Sequence, residues 1–120
     1  MKKIKVNEIS IGNDQPFVFI AGLNVLEDEK TIEEVISKCI SSTKKLGIPY
    51  IFKASYDKAN RSSVDSFRGP GVERGLQILS DLKQDYDVPV ISDIHTAHEA
   101  ELAAEVLDVM QIPAFLSRQT

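Results

Sequence analysis

The stretch VPVISDIHTAHEAELAAEVLDVMQI, residues 88–112, reads as one strand–helix–strand unit. Val88 to Ile91 and Val109 to Ile112 are short apolar runs rich in β-branched residues. Neither alternates strictly, as expected for strands buried on both faces. Between them, Thr96 with Glu99 offers a capping pair for a helix carrying Ala100, Ala103, Ala104 and Leu107 on one stripe. A unit of this kind predicts a right-handed crossover between parallel strands.

Working outward, the same alternation continues. Phe17 to Ala21 and Tyr50 to Phe52 are two further apolar runs. Ile32, Val35, Ile36, Cys39, Ile40 and Leu46 form a stripe at helical spacing, with Asp28 as N-cap or Thr31 and Glu34 as an alternative capping box. Val72, Leu76, Leu79, Leu82 and Tyr86 form another. The segment from Ile4 to Gly12, followed by Asn13-Asp14, is expected to be a short hairpin outside the main sheet. The predicted fold is α/β, the N-terminal half of a (β/α)8 barrel with about four strands, as a single partial domain over residues 1–120. Thr120 falls just after the fourth strand, whereas a closed barrel needs eight strands and roughly 250 residues. That length fits a fragment of a longer enzyme or a half-barrel needing a partner. An open flavodoxin-like sheet is the alternative topology.

Composition sets the limits of function. The 120 residues are 42% hydrophobic and 27% charged, an ordinary globular balance. Fourteen Lys and Arg against eighteen Asp and Glu give a net charge of -4, which disfavours nucleic acid as a partner. The single cysteine, Cys39, rules out an intrachain disulfide and two-thiolate metal motifs, and its place on a helix stripe marks it as core. No apolar run approaches the ~18 residues of a membrane span, and the basic start lacks a signal-peptide core. A cytoplasmic location is expected, with no membrane partner.

The chemistry is expected where the strands end. The first run leads to Asn24, the second to Lys53 and Ser55, the third to Asp93 and His95, and the fourth to Gln111. In parallel α/β folds these ends open on one face, where ligands bind. Lys53 and Asp93 directly follow apolar strand residues, so each needs a counter-charge or an anionic ligand. A Lys53–Asp93 ion pair is the structural alternative, and both can hold at once. The loop from Lys53 to Arg68 adds Lys58, Arg61 and Arg68, interleaved with Ser55, Ser62 and Ser63, before Gly69-Pro70-Gly71. Such a mixture of Arg, Lys and hydroxyls suits phosphate and carboxylate recognition. The loop is also long for a bare connector. His98 is expected to face solvent, and His95 to orient its neighbours.

The stretch FKASYDKANRSS at 52–63 resembles the signature of 3-deoxy-D-manno-octulosonate 8-phosphate synthases. So do Arg68-Gly69-Pro70-Gly71, the Ser92-Asp93-Ile94-His95 turn, and QIPAFLSRQT at 111–120. The resemblance runs from about Pro16 to Thr120. It implies a (β/α)8 enzyme, usually a homotetramer, that joins phosphoenolpyruvate, arabinose 5-phosphate and water for lipopolysaccharide assembly. A sister family makes the seven-carbon 3-deoxy-heptulosonate 7-phosphate and carries a Lys-Pro-Arg-Thr pattern absent here. A non-catalytic sugar-phosphate-binding half-barrel is the third reading.

By position, the resemblance implies that Lys53, Ser55, Lys58 and Gln111 bind phosphoenolpyruvate, with Asp93 in the same pocket. It implies that Asn60, Arg61 and Ser62 form the pentose-phosphate site, with Arg118 reaching in from a neighbouring subunit. Lys58 is the expected proton donor to the aldehyde oxygen. Asn24 stands where metal-using members carry cysteine, which implies the metal-independent class and no cofactor. The resemblance also implies that a later lysine, arginine and histidine of the site are missing, so negligible activity is expected of these 120 residues alone.

Overall fold

The computed structural model of the chain describes residues 3–57 and 69–114. Two strands, β1 (Ile4–Val6) and β2 (Ile9–Ile11), form an antiparallel hairpin that pairs Ile4 with Ile11 and Val6 with Ile9. Asn7 makes the turn at φ 51°, a left-handed conformation that its short polar side chain tolerates. The expected hairpin is therefore present, as a sheet of its own.

Four strands make the main sheet: β3 (Phe19–Gly22), β4 (Tyr50–Lys53), β5 (Val90–Asp93) and β6 (Val109–Gln111). They lie in the order β3-β4-β5-β6, each parallel to the next. Three helices alternate with them: α1 (Glu29–Leu46), α2 (Val72–Tyr86) and α3 (Ala97–Ala103). Strictly sequential neighbours are the arrangement of consecutive units in a (β/α)8 barrel. The strand-order reversal of a flavodoxin-like sheet does not occur among the described strands.

Each helix shows why its sequence forms it. Asp28 precedes α1 in extended backbone and accepts the hydroxyl of Thr31, so the capping box starting at Thr31 is not used. Gly47 closes α1 at φ 69°, with its N–H on the Lys44 carbonyl and that of Ile48 on Thr43. Ile32, Ile36 and Thr43 are the buried face. Leu46, expected on that stripe, is 71% exposed, because it lies about 80° off the face marked by Ile36 at ~100° per residue. In α2 Leu76, Leu79 and Leu82 are buried, as the spacing predicts, while Val72 and Tyr86 are half-buried and Gly75, not on the expected stripe, is buried as well. Helix α3 is shorter than expected: Ala104 is an exposed C-cap, and Leu107 is buried beyond the helix rather than on it.

Residues alternate between the two faces of the sheet, and the faces have different cores. Tyr50, Phe52 and Val90 pack with Leu26, Ile32, Ile36, Leu76, Leu79 and Leu82 beneath the helices. Fully burying a side chain such as Leu26, Ile36 or Leu79 contributes about 1.5–3 kcal/mol. On the opposite face Ile51 and Ile91 pack with Val6 of the hairpin, joined by Ile9, Ile11, Val18 and Val109. The hairpin thus closes the N-terminal end of the inner face and leaves the C-terminal end for polar residues. The edge strands expose apolar groups, Phe19 and Ile20 on β3 and Met110 on β6.

Candidate functional site

Register alone places the first group of residues. Lys53 pairs with Ile91 across β4 and β5, and Asp93 pairs with Gln111 across β5 and β6. Paired residues share a face, and residues two apart on a strand share it too. Lys53, Asp93 and Gln111 therefore stand on the inner face, Lys53 level with Ile91 and Val109, and Asp93 with Gln111 one layer beyond. Ser55 follows β4, and Asn24 follows β3. The loop carrying Asn24 is tied to the end of β4 by Leu23 N–H on the Lys53 carbonyl at 2.8 Å and Leu26 N–H on the Ser55 carbonyl at 2.9 Å. Gly22 allows that approach, since a Cβ there would lie 1.9 Å from the Lys53 oxygen. All five described candidates thus gather at the C-terminal end of one sheet.

Local bonding sets their orientations. The buried Ser55 hydroxyl donates to the Asp57 carbonyl at 2.9 Å, turning the chain as it leaves β4. Asp93 is buried, and its Oδ2 lies 2.9 Å from His95 Nε2. The Lys53–Asp93 ion pair does not form: the carboxylate takes the imidazole two residues away, while Lys53 has no side-chain partner among the described residues. The imidazole that was expected to orient its neighbours stands in contact with Asp93. Asn24 is exposed and Gln111 half-buried, both open to a ligand. His98 is exposed, as expected.

Two residues here carried no site role in the sequence reading. Tyr56 is fully buried, and its hydroxyl donates to Glu99 Oε1 at 2.7 Å. Burial, reinforced by the hydrogen bond and charge of Glu99 and by the carboxylates of Asp93 and Asp57, raises the phenol well above its ordinary pKa of 10. Glu99 caps α3 as expected, with its N–H on the Thr96 hydroxyl at 3.1 Å. Its carboxylate, however, reaches the His95 N–H at 3.3 Å. The available signal was a tyrosine, with a polar tip, inside a motif of charged and hydroxyl-bearing residues.

Lys58, Asn60, Arg61, Ser62 and Arg118 lie outside the described residues. No group of three or more His, Cys, Asp or Glu with metal-binding geometry occurs among the described residues. No described helix is long and apolar enough to cross a membrane.

An open polar rim carrying a lysine, a paired carboxylate, amides and a hydroxyl suits a small anionic ligand. The chain is 55% identical over 119 residues to a 2-dehydro-3-deoxyphosphooctonate aldolase of Pseudomonas paraeruginosa, covering 99% of this chain and 42% of that protein. It is 58% identical over 117 residues to the protein of the same name from Marinobacter nauticus, covering 98% and 42%. With that from Hahella chejuensis the identity is 54% over 119 residues, covering 99% and 42%. The chain thus spans about 42% of the length of these relatives. Because residues 1–120 match the DAHP synthetase I family from end to end, on a scaffold that gathers its polar residues at the strand ends, the chain belongs to that family.

Proposed function

We propose that the chain forms the phosphoenolpyruvate-binding part of a 3-deoxy-D-manno-octulosonate 8-phosphate synthase. The observation that carries this reading is the shared inner-face position of Lys53, Asp93 and Gln111 at the C-terminal strand ends. The reaction joins phosphoenolpyruvate, arabinose 5-phosphate and water to give the eight-carbon acid phosphate and inorganic phosphate. C3 of the enol attacks the aldehyde, positive charge develops at C2, and water adds there. Clamping two anions in near-attack geometry supplies much of the rate.

In this reading Lys53, Ser55 and Gln111 hold phosphoenolpyruvate, and Asp93, fixed by His95, shapes the pocket. Lys58 completes that set and protonates the aldehyde oxygen. Asn60, Arg61 and Ser62 take the pentose phosphate, with Arg118 supplied by a neighbouring copy in a homotetramer. Asn24 contributes an amide rather than a thiolate, which supports a metal-independent reaction. The product serves lipopolysaccharide assembly in the cytoplasm.

The seven-carbon sister reaction is the competing reading, because the family takes its description from it. The sequence Asn60-Arg61-Ser62 and the names of the relatives favour the eight-carbon product. A chimera joining this chain to the remaining residues of the Marinobacter relative separates the possibilities. Phosphate release with arabinose 5-phosphate, and little with a four-carbon aldose phosphate, supports the proposal. The reverse preference supports the sister reaction, and no release with either acceptor contradicts both. The 120-residue chain alone is expected to release negligible phosphate.

A further inference from the structure

Tyr56 stands three residues beyond Lys53, the last residue of β4. Its carbonyl accepts the N–H of Gly71 at 3.0 Å, so the start of α2 is fastened to the chain leaving β4. Helix α2 closes over it at Gly75, where a Cβ would fall 2.2 Å from the Tyr56 Cβ. The hydroxyl, fully buried, reaches across to Glu99 Oε1 at 2.7 Å. That same oxygen accepts the His95 N–H at 3.3 Å and lies 3.7 Å from His95 Nδ1. The other ring nitrogen of His95 meets Asp93 at 2.9 Å.

One carboxylate oxygen therefore joins the β4 arm of the rim to the β5 arm. A capping glutamate ordinarily reaches back to the N–H of its own N-cap residue. Glu99 takes the N–H of the preceding residue instead and receives the phenol as well. A buried hydroxyl deprived of its acceptor leaves an unsatisfied donor, so the phenol strongly favours this geometry. Linked hydrogen bonds of this kind also stiffen one another.

We propose that Tyr56 and Glu99 are positioning residues that hold the chain leaving β4 and the Asp93–His95 pair in one register, so that the β4 and β5 ends of the anion site are set together. Substrate recognition by this device rests on the function proposed above; the coupling between the arms does not, and the two are tested separately.

The test uses isotope-labelled chain and follows the His95 ring nitrogens and the Gly71 amide by NMR. Tyr56→Phe removes one oxygen and little volume. It is expected to shift the His95 ring signals as well as Gly71, with the far-ultraviolet circular dichroism unchanged. Glu99→Ala should shift the same two sets. Glu99→Gln, which keeps the acceptor oxygen, should restore both to near their original positions. Phosphoenolpyruvate affinity should fall about tenfold in Tyr56→Phe and Glu99→Ala and recover in Glu99→Gln, as expected when a pre-organised site is loosened.

His95 signals unmoved in folded Tyr56→Phe overturn the proposal. If Tyr56→Phe does not fold, the two Glu99 variants decide: failure of glutamine to restore what alanine disturbs overturns it equally. If phosphoenolpyruvate moves no signal in the unsubstituted chain while Tyr56→Phe still shifts His95, the substrate reading fails and the coupling stands.

Discussion

His95 Nε2 lies 2.9 Å from Asp93 Oδ2, and this contact supplies the counter-group that the buried carboxylate at the end of β5 requires. Removing one partner of a buried polar pair costs more than the pair contributes, because the remaining group stays desolvated. His95→Ala is therefore expected to lower stability by about 1–3 kcal/mol. Asp93→Asn should cost less, since the amide still bonds the imidazole without a charge to solvate. Urea unfolding of both variants checks the order.

Gly75→Ala tests how α2 reaches the sheet. The added methyl would fall 2.2 Å from the Tyr56 Cβ and 3.1 Å from its Cα, and neither can yield without moving the chain that leaves β4. A loss of about 1–3 kcal/mol is expected from overpacking. A neutral result, by thermal or urea unfolding, would mean that α2 sits farther from Tyr56 than described.

Much of this was legible in the sequence because it depends on periodicity. Strand ends follow from apolar runs, and a parallel sheet sends them to one side, so the grouping of Lys53, Asp93 and Gln111 could be read in advance. Leu46 was misplaced because a helical stripe drifts, and six residues beyond Ile40 it has left the buried face. The Lys53–Asp93 pair was a reasonable expectation for two buried-strand charges. It failed because His95, only two residues away, satisfies Asp93 locally. The Tyr56–Glu99 bond was invisible because it joins residues 43 apart, and neither periodicity nor spacing encodes such a contact.

Alkaline pH should destabilise the fold through its buried phenols. Tyr50 donates to the Ala21 carbonyl at 2.8 Å and Tyr56 donates to Glu99. Burial is the largest cause that raises both above the ordinary value of 10. Their contribution is thus fully present below pH 10 and is lost as pH rises beyond it. Tyrosinate absorbance and circular dichroism should change together above that pH. Ionisation of both phenols without loss of structure would contradict the assignment.

The proposed metal independence can be examined in the chain itself. Asn24 offers a neutral amide oxygen, a weak ligand for zinc or manganese compared with a thiolate. Calorimetric titration with either ion is expected to give no site-specific heat, whereas Asn24→Cys should gain affinity for zinc. Tight zinc binding by the unsubstituted chain would remove the assignment.

The most direct test is titration of phosphoenolpyruvate into labelled chain. The amides at Lys53, Asp93 and Gln111 should respond together in one saturable process, and Lys53→Met should weaken binding by about tenfold or more through loss of a charge-assisted contact. Undiminished affinity in Lys53→Met, or a response confined to residues away from these three strand ends, would contradict the account.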